Sequence, residues 1–384
     1  MLRKLLIKLS ALSALILLFP RDRLRRPRGS VLPTERYDER DTMFARAARK
    51  PGTPEYEEYY ARRPAWKTRD DRIRRMTPLC RPGARHYHPT LSRAAEEWFE
   101  RIGSIEVDAN CVSSAVESIR TADDPIDALT HVTRQLGAVD VGFTVVHEAF
   151  VYTHKGRLDK DYGRRIDDSL PRAVVFLVEM DHDRMQRAPE ADTIRESARQ
   201  YYRAARIAFY LEAILRTLGY RAKAHYDAHY DVILPPLAVG AGLGELGRNN
   251  ILVADRYGSR VRIGAVTTDL PLPQSEPVDL GVQHFCAICG KCATNCPSRA
   301  LSLGEKENVR GVKKWPTNVE RCYRYWRSVG TDCGICMAVC PFSHKNNMFH
   351  NAVRRLIRLN PWMRHVALKG DDLVYGKTWK HSRR

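Results

Sequence analysis

A mixed α/β domain followed by a small cysteine-rich module is the architecture this sequence predicts, on three observations. Strand-like and helical apolar segments alternate between about residues 90 and 275. Eight of the ten cysteines crowd between positions 286 and 340, and a glycine-rich stretch, 240–262, stands shortly before them. The chain has 384 residues, 43% of them hydrophobic and 28% charged. That length can bury two or three domain cores, and that composition excludes a disordered, collagen-like or polytopic membrane chain.

Residues 192–218 carry apolar or aromatic side chains at Ile194, Ala198, Tyr201, Tyr202, Ala205, Ala208, Leu211, Ile214, Leu215 and Leu218. This spacing predicts a long helix, with Asp192 as its cap and Gly219 as its stop. Residues 172–180 and 141–147 read as buried strands, and Asp124-Pro125 opens a helix that runs to about Leu136. Strands joined through helices place the domain in the α/β (α+β) class. In the stretch that begins at Gly240, glycines at 240, 242, 244 and 247 permit close backbone approach, as to a phosphate or a flat cofactor. The stretch lacks the Gly-Lys-Ser/Thr of a P-loop and the spacing of a dinucleotide fingerprint.

The first cysteine group, Cys286, Cys289, Cys292 and Cys296 with Pro297, is the bacterial ferredoxin run C-x2-C-x2-C-x3-C-P. The second, Cys322, Cys333, Cys336 and Cys340 with Pro341, repeats that ending after a stretched first gap. In such runs the fourth cysteine ligates the other cube. Crossed ligation therefore predicts one 4Fe-4S cluster on Cys286, Cys289, Cys292 and Cys340 and a second on Cys322, Cys333, Cys336 and Cys296. Zinc ribbons also use paired CxxC units, but they do not require two C-x3-C-P endings. The two remaining cysteines, Cys80 and Cys111, read as buried small hydrophobes. Two cubes make an electron wire, so the long upstream segment should hold a substrate site or a further redox cofactor.

Several segments carry a family resemblance: Glu35–Phe44, Pro51–Tyr60, Ala-Gly-Leu-Gly-Glu-Leu-Gly-Arg at 241–248, Thr268–Leu272 and Cys-Tyr-Arg-Tyr-Trp at 322–326. They resemble the cobalamin-dependent reductive dehalogenases and, more distantly, the epoxyqueuosine reductases that act on transfer RNA. Glu245 and Arg248 favour the first branch, since the second usually carries Trp and Lys there. The resemblance implies a nitroreductase-like cobalamin-binding core followed by a bacterial two-cluster ferredoxin-like module. Electrons would pass from the distal cluster to the proximal one and on to a base-off cobalamin. The chain lacks the Asp-x-His-x-x-Gly signature of proteins that replace the lower cobalt ligand by histidine, as the resemblance leads one to expect. It implies a tyrosine proton donor, Tyr201 or Tyr202, assisted by a cation at Arg262. It also places Gly242, Gly244, Glu245, Gly247 and Arg248 at the cofactor, with His229 near the position where respiratory members carry a substrate-pocket asparagine.

The implied activity is reductive dehalogenation of a small organohalide, supplied by an external low-potential electron donor. An epoxyqueuosine-reductase-like enzyme on transfer RNA and a non-catalytic iron-sulfur electron carrier are the other classes in play. The domains are expected at 1–30 (signal-like or anchoring segment), 31–90 (extension), 91–277 (catalytic core), 278–345 (two-cluster module) and 346–384 (basic end). Lys and Arg outnumber Asp and Glu by 20 to 10 in residues 1–75, by 34 to 33 in 76–341 and by 10 to 2 in 342–384. The formal charge of +19 thus belongs to the two ends, which argues against a nucleic-acid cleft across the body. The apolar run Leu9–Pro20 is flanked by basic residues and is shorter than the roughly 20 residues a spanning helix takes. Its only Arg-Arg pair follows the run, where a twin-arginine signal would precede it. Residues 1–28 are therefore expected to hold the protein at the cytoplasmic face of the inner membrane, with that surface or a membrane anchor subunit as partner.

Overall fold

A computed structural model describes residue 33, residues 35–167 and residues 169–379; the expected anchor at 1–30 lies outside these. Among the described residues no helix is long and apolar enough to cross a membrane.

The chain enters through three short helices, α1 (Met43–Ala48), α2 (Pro54–Arg62) and α3 (Pro64–Arg74). Thr42 and Thr53 cap the first two by accepting the backbone N–H of Ala45 and Tyr56, and Pro54 suits the first turn of α2. Tyr56, Tyr59 and Tyr60 form their own small core with Trp66. Arg46 makes two hydrogen bonds to buried Asp70, at 3.0 and 2.7 Å, and a third to Glu320 at 2.8 Å. The N-terminal extension is thereby tied to the cysteine module.

Helices α4 (Pro89–Arg101), α5 (Ala109–Arg120) and α6 (Pro125–Gln135) lead into strand β1 (Asp140–Val145). As expected, Asp124 caps α6, accepting from Ile126 and Asp127. Strand β2 (Arg172–Glu179), the short helix α7 (His182–Met185) and the long helix α8 (Ala191–Thr217) follow. Next come β3 (Ala222–His225), α9 (Leu234–Gly240), the two-residue strands β4 (Glu245–Leu246) and β5 (Leu252–Val253), and β6 (Val261–Thr268). The main sheet has the order β1-β2-β6-β3 and is antiparallel throughout, so the domain is α+β in its pairing. Side chains of β2 alternate between two cores. Val174, Phe176 and Val178 face α5, α6 and α8, while Ala173, Val175 and Leu177 face α9 and the glycine stretch.

Two expectations need correction. Asp192 does not cap α8: the helix starts one residue earlier, at Ala191, and the Asp192 carboxylate accepts from Arg187 at 3.3 Å. Cys80 is buried but Cys111 is exposed, because the face of α5 that reaches the core is built from Val112, Val116 and Ile119.

The cysteine module comprises α10 (Val282–Cys289), α11 (Lys291–Thr294), a ribbon of β7 (Glu307–Val309) and β8 (Val312–Lys314), α12 (Val319–Val329) and α13 (Ile335–Ala338). Helices α14 (Met348–Leu359) and α15 (Pro361–Tyr375) close back onto it. Lys291, beside two cysteines, pairs with Asp371 and Asp372 of α15, the latter at 2.9 Å.

Candidate functional site

The glycine stretch is packed by the chain itself. A Cβ on Gly242 would lie 2.4 Å from the Glu276 carbonyl oxygen, and one on Gly244 2.4 Å from that of Val253. At Gly247 it would meet the Asn249 side chain at 2.8 Å. The two charged residues of the stretch also turn toward the protein. Glu245 accepts the backbone N–H of Leu280 at 2.6 Å and of Val282 at 3.2 Å, which sets a carboxylate at the start of α10. Burial pushes this carboxyl up, and those amides pull it back. Arg248 donates to the carbonyls of Cys286 (3.0 Å), Ser302 (2.9 Å), Gly304 (3.1 Å) and Ala287 (3.4 Å), and its guanidinium lies 4.6 Å over Trp315. Glu245 and Arg248, two of the residues that the resemblance placed at a cofactor, thus latch the core to the cysteine module.

That latch has a measurable strength. Arg248→Ala removes a buried cation and leaves four carbonyls short of a donor, a change expected to cost about 3–5 kcal/mol. Cluster absorbance should then be lost at clearly lower urea than in the wild type. Equal urea midpoints would remove the latch role.

The eight module cysteines form two groups. Cys286, Cys289, Cys292 and Cys340 line one small pocket together with Phe285, Phe342 and Val253. Burial, then the like charge of Cys340, pushes Cys286 up to about 12. Burial takes Cys289 to about 12 as well, with Cys340 again among the causes. In the second group, burial and then the charge of Cys296 push Cys322 up to about 11. Cys333 rises to about 12 through burial, with Cys322 and Cys296 adding to it. Thiols this deeply placed ionise only against a compensating cation, which a metal cluster supplies. Among the described residues no three His, Cys, Asp or Glu side chains converge closely enough for one metal ion. Tetrahedral zinc, at about 2.3 Å per sulfur, needs thiolates within about 4 Å of one another. Four cysteines to each group match the ligand number of a 4Fe-4S cube.

Arg262 on β6 and Tyr201 on α8 come together: the guanidinium carbon lies 4.7 Å from the ring centroid. Burial raises the Tyr201 phenol and the Arg262 charge lowers it. Tyr202, one residue on, turns away to pack on Trp98 at 5.0 Å. His229 stacks on Tyr226 at 4.7 Å, and burial lowers its pKa. It is the next residue, Tyr230, whose phenol is near enough to Tyr201 for the charge of one to act on the other. Its hydroxyl accepts from Arg157 at 2.9 Å, and Arg157 lies 3.4 Å from Asp227 and 4.8 Å over Phe44. Sequence reasoning missed Arg157, Asp227 and Tyr230, which carry no motif. It also missed Ser197 and Asp332, both hydrogen-bonded to Arg262; adjacency to Cys333 was the one available signal for Asp332.

Residues 285–344 match the family model described as a 4Fe-4S dicluster domain. Two 4Fe-4S clusters are therefore the cofactors of the module. A tetrachloroethene reductive dehalogenase of Desulfitobacterium hafniense is 33% identical over 211 residues, covering 52% of this chain and 38% of that protein. A second, of Sulfurospirillum multivorans, is 28% identical over 291 residues, covering 66% and 58%. The solved catabolic reductive dehalogenase NpRdhA superposes with a TM-score of 0.67 at 25% identity, over 91% of this chain and 49% of that one. The chain is a relative of the reductive dehalogenases. It spans about half the length or less of several of them. An epoxyqueuosine reductase of Lactococcus garvieae is related as well, 32% identical over 146 residues, 36% of this chain and 40% of that enzyme. Among reductive dehalogenases this relative shares the mixed helix and sheet core and the dicluster module behind it.

Proposed function

We propose that the protein reductively dehalogenates a small organohalide. The observation that carries this reading is the Arg262 guanidinium stacked on Tyr201, joined through Asp332 to the cluster ligand next to it, Cys333. Two electrons and one proton convert a carbon–halogen bond to carbon–hydrogen and a halide ion. The electrons would enter from an external low-potential donor and cross the two clusters, one on Cys286, Cys289, Cys292 and Cys340, the other on Cys322, Cys333, Cys336 and Cys296. Tyr201 would hand the proton from its hydroxyl to the carbon. Arg262 would stabilise the phenolate that remains, since a nearby cation favours the charged form.

Base-off cobalamin is the cofactor carried over by likeness, one related structure being described as suggesting a mechanism for B12-dependent dehalogenation. Gly242 and Gly244 are required by close packing in any case, since a Cβ there would meet the Glu276 and Val253 carbonyl oxygens. Glu245 and Arg248 fix the module to the core.

The test is anaerobic reconstitution with iron, sulfide and cobalamin, followed by a panel of aliphatic and aromatic organohalides with a chemical reductant. Release of halide with matching dehalogenated product is expected. A preparation holding about eight irons that releases no halide but deoxygenates an epoxide-bearing transfer RNA would replace the proposal with the epoxyqueuosine-reductase-like reading.

A further inference from the structure

We infer that Ser197 and Asp332 are positioning residues that hold the Arg262 guanidinium on Tyr201, Asp332 doing so from within the cluster module. This deepens the proposed function and rests on it for the role of Tyr201.

Three elements that are distant in sequence converge here. Arg262 Nη2 donates to Ser197 Oγ at 2.8 Å and lies 3.4 Å from Asp332 Oδ2. The Ser197 hydroxyl donates to that same carboxylate oxygen. Ser197 and Tyr201 stand four residues apart on α8, so they share a helix face and both meet Arg262 as it projects from β6. The Arg262 and Asp332 side chains are only 13% and 11% exposed. A buried guanidinium needs a partner charge, and the Asp332 carboxylate supplies it at hydrogen-bonding range.

The carboxylate is itself fixed. Thr331 Oγ1 donates to the Pro189 carbonyl at 2.7 Å and accepts the Cys333 N–H at 3.3 Å. Cys333 and Gly334 both adopt positive φ, 59° and 75°, and a Cβ on Gly334 would meet Thr193 at 2.6 Å. The backbone at 331–334 therefore has one seat against the loop before α8. Arg262 Nε, by contrast, has no partner among the described residues, so the Nη2 contacts with Ser197 and Asp332 direct the guanidinium plane. Without them a long side chain carrying several rotatable bonds would sample other orientations. The Asp332 part of this hold on the cation over Tyr201 is in place only when the cluster module is seated.

A structural role alone would be to dock the module, so the test must separate orientation from docking. Full-length Asp332→Asn and Ser197→Ala are reconstituted as above and compared with the wild type. With iron content and urea resistance unchanged, Asp332→Asn is expected to lower kcat about tenfold or more while KM stays within about twofold. Ser197→Ala should move the same way by less. The phenol itself gives a readout that needs no turnover. The ultraviolet phenolate titration of each protein minus that of its Tyr201→Phe counterpart follows Tyr201. Its midpoint should move to higher pH in Ser197→Ala, where no charge is removed, because the displaced guanidinium no longer lowers it. Asp227 and Arg157, which also act on this phenol, are left in place, whereas Asp332→Asn would in addition remove a carboxylate that raises it. An unmoved midpoint, or a loss of activity that tracks loss of iron, overturns the positioning role. A wild type that releases no halide, with the midpoint shift still present in Ser197→Ala, would overturn the proposed function and leave the positioning inference standing.

Discussion

Tyr201→Phe is expected to lower kcat by about 10²- to 10⁴-fold, the range for losing a general acid, while Tyr202→Phe stays near the wild type. The two residues are adjacent, yet α8 turns them onto different neighbours. Tyr201 faces the Arg262 guanidinium at 4.7 Å, and Tyr202 faces Trp98 at 5.0 Å. A phenol donates only while protonated, so the rate should fall as pH rises through the Tyr201 pKa. Opposed influences set that point: burial raises it most, Arg262 is the largest lowering one, Asp227 and Asp332 raise it, and Arg157 lowers it. Arg262→Gln removes the largest lowering influence, so the alkaline limb should move to higher pH. At the same time kcat should drop, because the phenolate formed on transfer has lost its cation. Steady-state halide release across the alkaline range checks both points. If Tyr201→Phe stays active and Tyr202→Phe does not, the assignment inverts; if the double variant stays active, the proton comes from elsewhere.

How much of this site could be read in the sequence depended on whether its partners are near neighbours in the chain. Spacing alone brings Cys286, Cys289 and Cys292 together on two consecutive short helices, and helical periodicity marks α8 to within a residue or two. Tyr201 and Arg262 entered by family likeness as one of two tyrosines and a cation, and the geometry chose between the tyrosines. The partners of Arg262 lie 65 and 70 residues away along the chain, and no local pattern reports such a distance. Glu245 and Arg248 were legible as unusual, but the groups they bond to were not. Their partners are mostly backbone groups between residues 280 and 304, and backbone amides and carbonyls leave no mark in a sequence. Glycines are equally silent about what approaches them. A glycine that admits a flat cofactor and one that admits the chain's own carbonyl look the same until the fold brings one of the two into place.

Paired cysteine replacements should distinguish crossed from sequential ligation. Cys292→Ala with Cys340→Ala removes two ligands of one cluster if ligation is crossed, so about four of about eight irons should remain. Sequential ligation would strip a ligand from each cluster and leave few irons. The complementary pair, Cys292→Ala with Cys296→Ala, has the opposite signature: crossed ligation damages both clusters although the two residues are only four apart. The geometry supports the crossed outcome. The cavity behind Arg248 is lined by Cys340 together with the first three cysteines. Cys296 sits past α11, where its charge acts on Cys322 and Cys333 instead. Alanine is the replacement of choice because a serine oxygen can still bind iron. Iron analysis and low-temperature paramagnetic resonance of the reduced proteins give the count. The reverse pattern, few irons in the first pair and about four in the second, would send the ligand assignment back to the sequential scheme and with it the path by which electrons reach Cys333 beside Asp332.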